Sequence, residues 1–307
     1  MPEVMPSPEH FYRAMLRIRM FEERVLAWFP KGVFYGTTHT YIGQEADAVG
    51  VLENLAPGDV VVSNHRCHGH FLAYGGSMHG LAAELMGRQT GVCGGRGGSQ
   101  HIQWRDFYAN GILGGTMPLA SGMAMAERGT GHVVVAFLGD GALGEGAIYE
   151  SLNMCALWSL PILVVLENNR YAQSTPIERN LAGSISGRFE AFGIPTADED
   201  TTDVNRIYAL AGSLLEQVRK QARPHALIID TYRFGPHSKG DDTRDPDEIA
   251  RFREHDPLKL AEQAMDAESL MAIRRDVSDE VDAAFDQAQA DPPADPRALG
   301  LVRGTSL

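Results

Sequence analysis

Cysteine is scarce in this 307-residue sequence: Cys67, Cys93 and Cys155 are too few and too scattered for a disulfide framework, which fits a reducing cytosol. Runs of positive charge are missing too. Lys and Arg number 27 against 40 Asp and Glu, a formal net charge of −13, whereas nucleic-acid binders carry basic patches. No apolar stretch reaches the roughly 18 residues that a membrane span needs. The opening MPEVMPSPEH has the pattern of neither a signal peptide nor a transit peptide. Internal repeats and long linkers are also absent. Together these absences predict a cytoplasmic protein that binds neither nucleic acid nor membrane. A chain of this length can bury a large core, as one α/β domain or two smaller ones.

Glycine, by contrast, is abundant, and its 33 residues concentrate between Gly32 and Gly146. The stretch around which the rest is organised is 132–171. Residues 133–138 form a short, β-branched apolar run, as in a strand buried on both faces. Gly139-Asp140-Gly141 follows at once, and two glycines there permit positive φ and close approach of backbone to a ligand. From Glu145 to about Leu157 the pattern is helical, with Ile148, Leu152, Cys155 and Ala156 on one face. Pro161 opens a second apolar run, 162–166, ending in Asn168-Asn169. This is a βαβ unit with parallel strands and a right-handed crossover. Ligands of such sheets sit beyond the carboxyl ends of the strands, where Asp140 and Asn169 both fall.

One carboxylate, one amide oxygen and the Tyr171 carbonyl make a half-filled shell of oxygen atoms. A hard cation such as Mg²⁺ or Ca²⁺ suits it, with phosphate oxygens and water completing the coordination. The helix start after Gly141 offers N–H groups and a positive dipole end to the same phosphates. A turn Asp and a turn Asn each have local reasons to be there. The whole constellation, with a helix and a second buried strand between the two, favours the metal reading.

GDGALGEG…ESLN…LPILVVLENNRY resembles the thiamine diphosphate fingerprint, GDG followed by NN. In particular it is similar to the alpha subunit of the two-chain 2-oxo acid dehydrogenases, the pyruvate, branched-chain and acetoin dehydrogenase group, from about residue 11 to about residue 260. The resemblance implies a thiamine diphosphate-binding α/β fold, a mostly parallel sheet flanked by helices on both faces. It implies one domain over 1–307, with an N-terminal helix at about 9–29 and a C-terminal helical region at about 247–290.

The resemblance also assigns roles. Asp140, Asn169 and the Tyr171 carbonyl hold Mg²⁺ or Ca²⁺; Gly139, Gly141 and Ala142 join Asp140 and Asn169 around the cofactor. Arg66 binds the diphosphate, beside His65 where the family usually has Tyr. Gly111 and Leu113 lie against the cofactor, Leu113 helping to hold its two rings in a V. His39, in HTYIGQEA, faces the substrate end, and His237 binds the terminal phosphate and assists acyl transfer to a lipoyl group. Ser238 matches a serine phosphorylated in some members. The activating glutamate comes from a beta subunit in an α₂β₂ assembly, and a lipoyl-bearing acyltransferase is the further partner. A carboligase or transketolase-like enzyme on the same scaffold is the alternative.

Elsewhere, 9–29 is an amphipathic helix with Phe11, Met15, Ile18, Phe21, Val25 and Trp28 at helical spacing, capped at Ser7-Pro8. Glu45 reads as a first-turn helix acid. HRCHGH, from His65 to His70, is too compressed for zinc. Residues 87–101 are too rich in glycine for helix or strand and read as a mobile surface loop. Residues 203–222 form a helix and 226–232 a third buried strand. The following loop is two or three residues shorter than in the family and lacks a Tyr before Arg244. Residues 265–290 are helical, with Leu270, Ile273, Val277, Val281 and Phe285 packing and the charged face solvated. Residues 297–307 read as a loose tail.

Overall fold

A computed structural model describes residues 5–238, 240 and 242–297; the tail expected at 297–307 lies outside them from residue 298 on. Among the described residues nine strands occur: β1 (Val60–Ser63), β2 (Gln103–Trp104), β3 (Phe107–Ala109), β4 (Val134–Gly139), β5 (Ile162–Asn168), β6 (Tyr171–Ala172), β7 (Thr175–Pro176), β8 (Thr196–Asp200) and β9 (His225–Asp230). Seven form one sheet in the order β2-β3-β1-β4-β5-β9-β8, and β6 and β7 pair as a separate hairpin. Every pairing in the large sheet is parallel except β2 with β3. The α/β architecture read from the sequence is therefore present.

The alternation of a strand builds the two cores. Val135, Phe137, Leu163 and Val165 face one way, into a cluster with Phe11, Val49, Leu214 and Val277. Val134, Ala136, Leu138, Ile162, Val164 and Leu166 face the other, into a cluster with Met117, Ile148, Leu152 and Cys155. Helices Pro8–Trp28, Glu45–Leu52, Val204–Gln221 and Ala267–Ala290 thus cover the first face, and Thr116–Ala126 and Gly146–Leu157 the second. The first helix starts as its sequence requires, with the His10 N–H donating to Ser7 Oγ at 3.3 Å and Pro8 in the first turn. All six of its expected apolar positions are buried.

Three strands had no apolar signature. β2 and β3 are two and three residues long, and β8 reads TADED, an acidic edge strand with little to bury. The segment after Tyr171, expected to be a loop, forms the β6–β7 hairpin. The charged face of helix Ala267–Ala290 is partly paired rather than simply solvated. Asp276, Glu280 and Asp282 meet Arg13, Arg17 and Arg24 of the first helix. These pairs are half-exposed and contribute little; burial of Ile273, Val277, Val281 and Phe285 joins the two helices.

The glycine-rich segment 87–101 is irregular, as its composition demands, but it is anchored. The buried carboxylate of Glu84 accepts hydrogen bonds from the N–H groups of Cys93 (2.7 Å), Gly95 (2.9 Å), Gly97 (2.6 Å) and Gly98 (3.2 Å). A Cβ at Gly97 would lie 1.9 Å from the His101 carbonyl oxygen, so only glycine can make that turn. The segment after the last helix laces the other side: Gln89 N donates to Pro292 O and Ala294 N to Gly87 O, both at 2.9 Å. The anion held by this glycine cradle is the chain's own.

Glu84→Ala leaves those four donors without their acceptor. We expect a loss of about 2–4 kcal/mol in denaturant unfolding and faster proteolysis within 91–99. Unchanged stability and cleavage would show that the carboxylate does not hold the loop.

Candidate functional site

β4 and β5 run side by side with Gly139 opposite Glu167, so both chains leave the sheet at the same edge. Asp140 begins the short helical turn Asp140–Gly144, and Asn169 follows β5 directly. Neither Gly139 nor Gly141 uses positive φ, contrary to one reason given for them. Gly141 is needed for closeness instead: a Cβ there would sit 2.9 Å from that of Ala172. The hairpin carrying Tyr171 can therefore cross beside Asp140. Asn169 Oδ1 accepts from the Tyr171 N–H at 3.3 Å, and Arg170 and Gln173 take positive φ (68° and 58°) to make the tight reversal.

Asp140 is 1% exposed, and neither of its carboxylate oxygens has a hydrogen-bond partner among the described residues. Burial pushes its acid up to about 6, against the pull of the backbone N–H groups of Asp140 and Asn169 and of the more distant Arg233 and Arg66. A buried carboxylate with no partner takes up a proton or pairs with a cation.

The opposite charge waits nearby. Arg66, at the end of β1, is buried and donates to Thr40 O (2.7 Å) and to His237 Nδ1 (3.2 Å). Burial and the neighbouring Arg233 press its guanidinium down to about 9. His39, His65 and His237 surround it with ring nitrogens within 4.8 Å of one another. His39 Nδ1–H donates to His237 O at 2.7 Å, which fixes its tautomer and leaves Nε2 as an acceptor. Because Arg66 donates to His237 Nδ1, the proton of neutral His237 sits on Nε2. The two catalytic candidates thus present one acceptor and one donor. Both ring nitrogens of His65 lack a partner among the described residues, and burial, then Arg66, hold its pKa well below the usual histidine value.

The loops bearing these groups are fastened together. Ile42 O accepts from Phe234 N at 3.0 Å. Gly43, at φ 103°, fits against the Tyr232 carbonyl, which a Cβ would approach to 2.3 Å. Glu45 is more than a first-turn acid: it pairs with Arg19 (2.6 Å) and accepts from Gly43 N (3.0 Å), while Arg19 also grips Asp256. Glu22 accepts from Tyr41 N and pairs with His68. His70 bridges Ser63 and Glu167, so His68 and His70 of HRCHGH serve internal bonding. Leu113 is half-buried in the turn before helix Thr116–Ala126, and the adjoining Gly114 N donates to Glu145 beyond the Asp140 turn at 3.0 Å. Gly111 lies against Gln100.

Two further residues escaped the sequence reading. Arg233 is fully buried, donates to Gln173 O (2.8 Å) and Gly235 O (3.1 Å), and ties the metal-side hairpin to the His237 loop. Its signal was available: like Arg66, it is an arginine just beyond a buried strand. Arg244, in the shortened loop, donates to Arg233 O and Gly235 O at 2.6 Å each, and faces the rings of Tyr171 and Tyr232. It fastens the shorter loop inward; nothing in the local sequence pattern signals that.

A cation corner beside an anion corner fits a metal-bound diphosphate: Asp140, Asn169 and the Tyr171 carbonyl on one side, Arg66 and His237 on the other. Comparison with known proteins identifies the family. Residues 12–297 match the family described as dehydrogenase E1 component. The alpha subunit of the pyruvate dehydrogenase E1 component of Rhizobium meliloti is 41% identical over 299 residues, covering 92% of this chain and 86% of that one. The alpha subunits of acetoin:2,6-dichlorophenolindophenol oxidoreductase from Cupriavidus necator and Bacillus subtilis are 39% and 37% identical over 303 residues, covering 94% of this chain and 91% of each.

Asp140→Asn removes the buried charge and with it the carboxylate that would hold a metal. Because the acid is raised from the ordinary 3.8 to about 6, the folded chain is penalised for the charge above pH 6 and not below about 4. In EDTA at pH 8 the variant should be more stable than the parent by on the order of 2–3 kcal/mol, a gain that vanishes near pH 4. Added Mg²⁺ and diphosphate should stabilise the parent alone. A variant less stable than the parent, or equally responsive to metal, would refute the assignment.

Proposed function

The chain belongs to the dehydrogenase E1 component family, and on that premise we propose that it is the alpha subunit of a thiamine diphosphate-dependent 2-oxo acid or acetoin dehydrogenase. The observation that carries the site reading is the buried, unpartnered Asp140 carboxylate across from the Arg66–His237 pair. Mg²⁺ is the cation that best suits one carboxylate, one amide and one carbonyl oxygen shared with a diphosphate.

Bound thiamine diphosphate supplies the nucleophilic carbon and the electron sink for loss of carbon dioxide from a 2-oxo acid. The chain's own residues supply position and protons. Asp140 and Asn169, set by adjacent parallel strands, fix the metal end. Arg66 would neutralise phosphate charge as a planar fork of N–H donors. His39 Nε2 can accept a proton and His237 Nε2–H can donate one or bind an oxyanion. Leu113 is the apolar group placed to wedge the cofactor. Among the described residues no helix is long and apolar enough to cross a membrane, in keeping with a subunit of a soluble enzyme.

No carboxylate of this chain is assigned to activating the cofactor's second ring. That glutamate belongs to a beta subunit, in an α₂β₂ assembly, and the acyl group passes to a lipoyl-bearing acyltransferase. The purified chain with thiamine diphosphate and Mg²⁺ should therefore show no decarboxylation of pyruvate and no dye reduction with acetoin, and should gain both cofactor-dependent turnover and a larger mass on adding the beta subunit. Turnover by the chain alone would refute the division of labour. With the pair assembled, acylation of a lipoyl domain is expected; ligation of the two-carbon unit to an aldehyde instead would identify a carboligase.

A further inference from the structure

Beyond the ends of β5, β8 and β9, next to the metal corner, lies a cavity of about 380 Å³ that none of the roles above uses. It adjoins a second of about 520 Å³, and Arg170, Phe252 and His255 line both. Volumes of this size hold small-molecule ligands, and the position is where α/β sheets present them.

The wall has a definite chemistry. Arg170 spans the junction, its guanidinium 5.3 Å from the centre of the Phe252 ring and 3.8 Å from Asp230. Its Nε is buried and has no hydrogen-bond partner among the described residues. Asp230 is already engaged by Asn168. Asp200, at the end of β8, adds a second carboxylate to the same wall, so acids outnumber the one guanidinium. Phe234, Phe252 and Leu260 make the apolar side. A simple anion is disfavoured by the two carboxylates, and a simple cation by the guanidinium. A molecule carrying both charges beside an apolar group satisfies all three surfaces.

We propose that this cavity is a second ligand site, for an α-amino acid with an apolar side chain, coupled to the metal corner through Arg170. The carboxylate meets Arg170, the ammonium meets Asp200 and Asp230, and the side chain lies against Phe234, Phe252 and Leu260. Coupling follows from the backbone. Arg170 stands between Asn169 and Tyr171 and holds a positive φ of 68°, so a ligand that draws its side chain acts on the one reversal that aims both metal-binding oxygens. Asn168, bonded to Asp230, adds a second link from the same strand end.

The test is calorimetry on the purified chain, and on its assembly with the beta subunit, using leucine as probe. Leucine should bind saturably, one per chain. Its two halves as ligands, 4-methylpentanoate without the ammonium and 3-methylbutylamine without the carboxylate, should each bind about tenfold more weakly or worse. Arg170→Gln and Asp200→Asn should each weaken leucine by a similar factor. Mn²⁺ titration followed by electron paramagnetic resonance should show leucine shifting metal affinity by about twofold or more in the parent, and not in Asp200→Asn, whose own Mn²⁺ affinity stays at the parental value. No leucine binding in either preparation, equal binding of leucine and its halves, or full affinity in both variants overturns the site. Leucine binding with no effect on Mn²⁺ overturns the coupling. The coupling arm rests on the metal reading; the binding arms do not, so failure of one is distinguishable from failure of the other.

Discussion

The constraint that shapes this protein is the upkeep of two opposite charges, a short way apart, that the chain itself does not neutralise. Asp140 is buried with both oxygens unpartnered, and Arg66 is buried beside a second arginine and three histidines. Either arrangement alone costs stability, because low-dielectric surroundings penalise unpaired charge. The two are tolerated together because the surrounding sheet is rigid: β4 and β5 lie at its centre, buried on both faces. Such a site is organised before its ligands arrive, so that binding energy is not spent on arranging it.

Much of the remaining polar interior reads as scaffolding for that corner. The segment carrying His39 is held at nearly every residue: Thr40 O by Arg66, Tyr41 N by Glu22, Ile42 O by Phe234, Gly43 N by Glu45. Tyr41, His70 and Asn64 converge on Glu167, two residues before Asn169. Next to it, burial and then the Glu167 carboxylate raise the Asp47 acid well above its ordinary value. Charged networks of this kind add little net stability over apolar packing, but removing one member strands the rest.

What could be read in advance follows from what local chemistry records. The βαβ unit was legible because strands buried on both faces leave continuous apolar runs, and because Asp and Asn at strand ends carry a ligand chemistry of their own. Its boundaries moved only slightly, to Val134–Gly139 and Ile162–Asn168. The short edge strands were illegible: TADED buries little on either side. Arg244 and Glu84 were missed for another reason. Each acts on backbone carbonyls or N–H groups, and a backbone partner leaves no residue-specific trace in sequence. The glycine-rich segment shows the same limit. Its composition announced an irregular course, yet its order comes from the Glu84 carboxylate and from the segment after the last helix.

The lacing of residues 291–294 onto that glycine-rich segment also sets an order of events during synthesis. Thr90 and His79 wait for Asp291, a partner made some two hundred residues later. On a ribosome that releases the chain from its N-terminal end, the sheet centre and its metal corner can form while this seam is still open. The glycine-rich loop is thus among the last parts to be locked, and its closure reports that translation has run through the final long helix. A subunit truncated before Asp291 would retain the strand ends yet lack the finished seam.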